Sequence, residues 1–505
     1  MSRPLQREQL GTNTLLRQPG AILLISCYEL GHQPIGLAQP MGFLAQVGYA
    51  PAAMDIAVED FDPVPVRSAR FIGISVPMHT ALRLGVRVAQ LVREMHPSCH
   101  ICFYGLYASI NAAYLLEQVA DSVIGGEFEV PMVRLVQALD RGEDLETLEG
   151  LSRRGRTVGP FLQRSPAPFP VPSRAGLPLL DRYARLECNG TSHPVGYVEA
   201  SRGCLHLCLH CPIVPVYEGR FFIFPEEAVL EDIRRQVKAG AQHITFGDPD
   251  FLNGPGHSLN IVRAMHAEFP DVTFDVTTKI EHLLSHRSLI PEFAALGCIL
   301  VISAVESFSD TVLAHLRKGH TRTDIVLALD LVRSAGITLR PSLVAFTPWT
   351  TLDDYIEMFD LVESLDLVDA IDPVQYTVRL LIPPGSALLT QAEAQPAPMR
   401  AFLSPLDQAN FQYPWTHPDP RMDMLHDAVT AVVEEAARLD QDPARTFDHL
   451  RELACETAGR TGSRSMSPRI DRGLRNRPPR LTEPWFCCAE PTKGQFRPLQ
   501  PKGSP

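Results

Sequence analysis

Cys204-Leu205-His206-Leu207-Cys208-Leu209-His210-Cys211 sets three thiols in a C-x3-C-x2-C spacing on one short loop. Three thiolates so spaced can hold three irons of a cuboidal [4Fe-4S] cluster and leave the fourth iron open to an exogenous ligand, which points to catalysis there. A tetrahedral zinc site is the alternative. It needs a fourth protein ligand, which His206 or His210 could supply. A second sulfur motif, Cys487-Cys488, stands beside Trp485 and Phe486 in a Pro- and Arg-rich stretch with few aliphatics. Adjacent thiols with no core to hide in are an oxidation hazard unless used, and soft thiolates favour a thiophilic atom such as trivalent arsenic. The 11 cysteines are an odd number in a chain that opens without the apolar run of an export signal, so a disulfide framework is not expected.

These groups need elements to position them. Over residues 1–150, short apolar runs such as Ala21-Ile22-Leu23-Leu24-Ile25-Ser26 and Phe71-Ile72-Gly73-Ile74-Ser75 alternate with amphipathic segments over 39–47, 80–95 and 108–119. The pattern predicts a doubly wound parallel sheet, α/β in class, whose ligand crevice lies beyond the carboxyl ends of the strands. Those ends carry Ser75-Val76-Pro77-Met78-His79, Gly105-Leu106-Tyr107 and Gly125-Gly126-Glu127, where glycine lets a flat ligand approach the backbone. Residues 151–195 hold six prolines between 160 and 178 and read as an extended connector. A second series of βα units over 196–385, with strands near 197–200, 243–246, 273–277, 299–304, 338–345 and 374–380, predicts a partial (β/α)6 barrel whose chemistry sits at the strand ends. A helical extension follows over 386–460, including an amphipathic helix over 422–439, and an irregular tail over 461–505 carries the cysteine pair. At the barrel strand ends stand Gly247, Asp248, Glu306, Lys279, Arg340 and Arg379. A buried glutamate there needs a partner or a ligand, and the basic residues suit carboxylates.

Lys+Arg 46 against Asp+Glu 58 in 505 residues gives a net charge of -12, so there is no basic footprint for nucleic acid or anionic lipid. No stretch of about 18 residues is free of charges and breakers, so no membrane span is expected and the chain reads as cytoplasmic.

The triad placed after the first barrel strand resembles the radical S-adenosylmethionine (SAM) superfamily. The resemblance implies that Cys204, Cys208 and Cys211 ligate a [4Fe-4S] cluster whose open iron chelates SAM and passes one electron to its sulfonium, the electron arriving from a donor such as flavodoxin or ferredoxin. It also implies a SAM-amine contact at Gly247-Asp248-Pro249-Asp250, which departs from the family's Gly-Gly-Glu, and a SAM-facing carboxylate at Glu306. The first domain is similar to the cobalamin-binding domains found before many such barrels. The D-x-H-x-x-G sequence that supplies an axial histidine is absent, and Glu29-Leu30-Gly31-His32-Gln33-Pro34-Ile35-Gly36 is a poor relative of it. Cobalamin then binds without a protein ligand on cobalt, or the fold is kept without the cofactor; His32 and His79 are the histidines in question.

Pro484-Trp485-Phe486-Cys487-Cys488-Ala489-Glu490-Pro491 resembles the tail of the CUAEP/CCAEP-tail radical SAM family, with Cys488 at the position that is selenocysteine in some members. That family is linked to arsinothricin biosynthesis. The resemblance implies transfer of the 3-amino-3-carboxypropyl group of SAM to arsenite, a small-molecule substrate presented by Cys487 and Cys488. A cobalamin-dependent radical methyltransferase is the alternative, and a thiol-based arsenic or metal sensor is a third reading.

Overall fold

The computed structural model describes residues 15–162, 169–390, 399–460, 477–483, 495, 496 and 499. The apolar runs of the first domain form β1 (Ile22–Ser26), β2 (Ala52–Asp55), β3 (Phe71–Ser75), β4 (His100–Tyr104), β5 (Ser122–Ile124) and β6 (Leu151–Arg153), ordered β2-β1-β3-β4-β5-β6. The first five are parallel and β6 is antiparallel to β5. Every residue of β1 and β3 is buried, as continuous apolar strands covered by helices on both faces must be. Helices Ile35–Gln46 and Glu129–Arg141 cover one face; His79–Met95 and Ala112–Gln118 cover the other. The chain leaves β1 toward β2 and returns on its other side as β3, so the switch point lies at the carboxyl ends of β1 and β3. The helix expected over 108–119 is broken into Leu106–Ile110 and Ala112–Gln118. Asn111 breaks it by donating Nδ2 to the Tyr107 carbonyl at 2.9 Å, the side-chain competition that disfavours Asn inside helices.

The span read as a connector does more than connect. Besides β6, it supplies Phe161, bridged to Gly126, and β7 (Arg185–Cys188), which pairs antiparallel with β8 (Thr191–Val198). Arg174 staples it to both domains, bonding Asp232 through Nε (2.9 Å) and Nη2 (2.8 Å), Gln33 at 2.9 Å and the Tyr197 carbonyl at 2.6 Å. Proline bars regular ladders here, and side chains do the fixing instead.

After β8 come the short hairpin β9 (Ser201–Gly203) and β10 (Phe221–Ile223), then β11 (His243–Phe246), β12 (Thr273–Thr277), β13 (Cys298–Glu306) and β14 (Thr338–Leu343); β15 (Arg480–Leu481) returns from the tail. The sheet order is β14-β13-β12-β11-β8-β7-β15, with β8 and β11 to β14 parallel. It is a curled half barrel of five parallel strands. The sixth strand expected over 374–380 is instead a 3-10 turn, Pro373–Thr377, followed by one parallel bridge from Phe346 to Arg379. Pro373 opens that turn, and Pro383-Pro384 stop a ladder from extending. Helices Pro420–Arg438 and Pro443–Thr457 pack on each other, the first also on the Pro373–Thr377 turn and the second on helix Leu352–Ser364, with Phe447 against Phe359 and Tyr376. Among the described residues, no helix is long and apolar enough to cross a membrane.

Candidate active site

The β9–β10 hairpin carries the three-cysteine loop. Gly203 makes the hairpin possible: its φ is +84° and a Cβ there would lie 2.4 Å from the Arg220 carbonyl oxygen. Backbone bonds then set the loop, Cys204 N to Arg220 O at 3.1 Å, Cys211 N to Cys208 O at 3.1 Å, and Leu209 N to the helix-end carbonyl of Leu316 at 3.0 Å. None of the three thiols is in a disulfide. Burial raises the Cys204 and Cys211 thiols, the latter to about 12, and neighbouring Cys208 raises both further. Thiols crowded this way keep their protons unless a cation replaces them, so the donor set fits an iron cluster. The His206 amide lies 3.5 Å from Cys204 Sγ, a contact of the kind that tunes cluster sulfurs.

Both histidines of the loop are engaged away from the thiols, which removes the fourth ligand a zinc site would need. Lys279 Nζ donates to His206 Nδ1 at 3.1 Å, which leaves the proton on Nε2 facing His282 Nε2 at 3.2 Å. His282 Nδ1 in turn meets Asp250 Oδ2 at 2.9 Å, and Thr278 donates to Asp250 Oδ1 at 2.7 Å. Burial would raise Asp250, but its bonds to His206 and His282 outweigh that and hold it well below the usual carboxylate range. On the other side, His210 Nε2 lies 3.1 Å from Glu306 Oε1, which also accepts from Lys318 Nζ at 3.1 Å. Two charged clamps thus grip the loop, one from the β11 and β12 ends and one from the β13 end.

The structure brings Glu306 and Lys279 to the loop and gives Gly247, Asp248, Arg340 and Arg379 different work. A Cβ on Gly247 would lie 2.1 Å from the Tyr197 hydroxyl, so the turn after β11 requires glycine for packing. Asp248 is buried, accepting from Ala200 N at 2.9 Å and Ser201 Oγ at 2.5 Å; burial raises it to about 7. Arg340 is paired with Asp372, while Arg379 pairs with Asp423 at 2.8 Å and lies over the Trp415 ring. Lys318 and His282 escaped the sequence reading, and Asp250 entered it only as the end of the Gly247-Asp248-Pro249-Asp250 turn; they come from separate elements and share no local spacing with the cysteines.

Arg202, just before the loop, ties the two domains. It lies between the Phe128 and Phe224 rings and meets Glu129 at 2.9 Å, Glu199 at 3.1 Å and Glu127 at 3.7 Å. At the sheet ends of the first domain, His32 stacks on Tyr197 with ring centroids 4.5 Å apart, and burial lowers it to about 4. His79 is fully buried at the start of its helix. Gly125 and Gly126 are filled by the chain itself, with added Cβ atoms meeting Ser109 and Phe161 at 2.3 Å, so these glycines serve packing. Apolar Tyr28, Met78 and Tyr107 share a cluster with Leu381, Phe411 and Leu499. These residues would suit a corrin held by backbone and apolar contacts. Cys487 and Cys488 lie outside the described residues. On either side of them, Glu483 accepts from Tyr28 at 2.8 Å and Leu499 is buried.

Residues 198–362 match the family model of the radical SAM superfamily. Hopanoid C-3 methylase of Methylococcus capsulatus is 26% identical over 327 residues, 63% of this chain and 62% of that protein. Anaerobic magnesium-protoporphyrin IX monomethyl ester cyclase of Synechocystis sp. is 22% identical over 280 residues, 54% of each. The chain therefore spans between 54% and 62% of the length of these curated relatives. Among solved structures, the cobalamin-dependent SAM radical enzyme OxsB with aqua-cobalamin bound gives a TM-score of 0.63 at 15% identity, covering 82% of this chain and 67% of that one. The radical SAM methyltransferase TsrM from Kitasatospora setae, with tryptophan and a SAM analog bound, gives 0.62 at 17%, covering 81% and 88%. A radical SAM domain implies a [4Fe-4S] cluster and SAM. Residues 198–362 are thus a radical SAM domain, in a chain with the fold of cobalamin-dependent radical SAM enzymes.

Proposed function

We propose that this chain is a radical SAM methyltransferase acting on a small molecule. The observation that carries this reading is the three-thiol half barrel joined to a doubly wound domain, the arrangement of TsrM, together with relatives whose names include methyl transfer. A cluster held by the three thiols would supply one electron to SAM, taken from a donor such as flavodoxin or ferredoxin, and cobalamin bound at the sheet ends of the first domain would serve as methyl carrier. The chain's own residues position these parts. Cys204, Cys208 and Cys211 hold iron. Glu306, kept charged by Lys318 and His210, offers its other oxygen to the amino group of SAM, and Gly247 and Asp248 shape the neighbouring turn.

The Cys487-Cys488 pair supports a second reading, transfer of the 3-amino-3-carboxypropyl group of SAM to thiol-held trivalent arsenic. Its tail is docked on both sides, at Glu483 and Leu499. By-products separate the two. Anaerobically reconstituted protein given SAM, reductant, cobalamin and arsenite is expected to form deoxyadenosine and S-adenosylhomocysteine. Methylthioadenosine that appears only with arsenite, and is lost in Cys488→Ser, would replace the first reading by the second. Neither product from an intact cluster would leave a thiol-based sensor.

A further inference from the structure

The β13-side clamp contains a group that binding SAM does not explain. Lys318 is only 2% exposed. It follows Arg317, whose φ of +53° ends helix Asp310–Leu316, and its own amide bonds Leu313 O at 3.0 Å. The same helix end receives Leu209 N from the cysteine loop, so the turn that stops the helix also directs Lys318 beneath the loop. A buried ammonium is costly unless paired, and Glu306 Oε1 at 3.1 Å is its partner. Glu306 is held there by His210, which lies between Cys208 and Cys211, and sits at φ +64°, a strained value for glutamate. Burial acts to lower the Lys318 pKa, yet Glu306 first, then the Cys208 and Cys211 thiols, raise it. The ammonium thus shares its counter-ion, Glu306, with His210 of the cysteine loop.

We propose that Lys318 is a fixed buried cation that raises the reduction potential of the cluster held by Cys204, Cys208 and Cys211, with Glu306 and His210 as positioning residues. The inference rests on the triad holding a [4Fe-4S] cluster. A cluster in the 2+ state with three thiolates carries one net negative charge, and one-electron reduction adds a second. A positive charge tied to the cysteine loop through Glu306 and His210, in a low-dielectric interior, stabilises the reduced form more than the oxidised one. Glu306 opposes this in part, so removing either member of the pair moves the potential in opposite directions.

The test is a redox titration of the reconstituted cluster without SAM, followed by electron paramagnetic resonance of the reduced state. At the potential where half the wild-type cluster is reduced, Lys318→Met is expected to lower the ratio of reduced to oxidised cluster about tenfold, roughly 59 mV for a one-electron couple. Lys318→Arg is expected to follow the wild-type curve, and Glu306→Gln to shift the other way, toward easier reduction. A structural role alone would move both variants in the same direction, and that result, or superposed curves for Lys318→Met and wild type, would overturn the proposal. If Lys318→Met holds no cluster, the sign of the Glu306→Gln shift decides. Wild-type protein without iron and sulfide would overturn the cluster assignment itself, a failure recognisable before any variant is made.

Discussion

Glu306 and Glu29 are both buried glutamates, and their surroundings drive them to opposite protonation states. Burial pushes both upward. At Glu306 the Lys318 ammonium and His210 more than reverse the push and hold the carboxyl well below its usual range. Glu29 has no such cation. Its Oε1 accepts from Ile35 N at 3.0 Å and Gly36 N at 3.2 Å, at the first turn of helix Ile35–Gln46, while burial and then the Glu199 charge raise it from 4.5 to about 8. The folded state thus binds this proton more tightly than the unfolded chain. Stability contributed by protonated Glu29 is complete below about pH 4.5 and is lost as pH rises through about 8. Glu29→Gln keeps an acceptor for the helix amides and cannot ionise. Its stability is expected to fall less than wild type's between about pH 5 and pH 9, by an amount on the order of a few kcal/mol. Urea midpoints at the two pH values measure it; equal losses would place Glu29 at an ordinary pKa.

Elements were legible in the sequence where local chemistry decides them. The apolar runs gave β1 and β3, and amphipathic spacing gave helices such as His79–Met95, expected over 80–95. β15 is a two-residue edge strand fixed by β7, a partner distant in sequence, with Arg480 opposite Glu187, and β7 itself is only four residues paired with β8; periodicity over so few residues carries no signal. The site divides the same way. Three cysteines within eight residues declare themselves, whereas Lys279, His282, Asp250 and Lys318 become a clamp only when β11, β12 and β13 lie side by side. Gly247 shows a legible residue with a different reason. Its position at a strand end suggests a SAM contact, and the fold adds the Tyr197 ring against its Cα. Gly247→Ala is therefore expected to destabilise the SAM-free protein by about 1–3 kcal/mol through overpacking. Chemical denaturation without SAM checks this; an unchanged midpoint would mean Tyr197 swings aside and the glycine answers to a ligand alone.

At the scale of the whole molecule, two α/β domains meet through a buried patch rich in acid. Glu127 and Glu129 come from the first domain, Glu199 from the end of β8, and Arg202 on β9 meets all three. Burial raises Glu127 to about 7; Arg202 counters that push, and Tyr217 donates to its carboxylate at 2.9 Å. The guanidinium also lies over Phe128 of one domain and Phe224 of the other, so its planar shape matters as much as its charge. Arg202→Met keeps much of the apolar volume and strands the carboxyls, for which breaking a buried pair costs about 3–5 kcal/mol. The expected outcome is a single thermal transition resolving into two, with protease cleavage between the domains at a temperature where wild type resists it. Arg202→Lys is expected to fall closer to Met than to wild type, because an ammonium can neither span the carboxylates nor stack between two rings. Since β9 leads directly into Cys204, the parting of the domains should also release iron from the reconstituted protein at the first transition; iron retained until the second would show that the barrel holds the cysteine loop without the first domain's help.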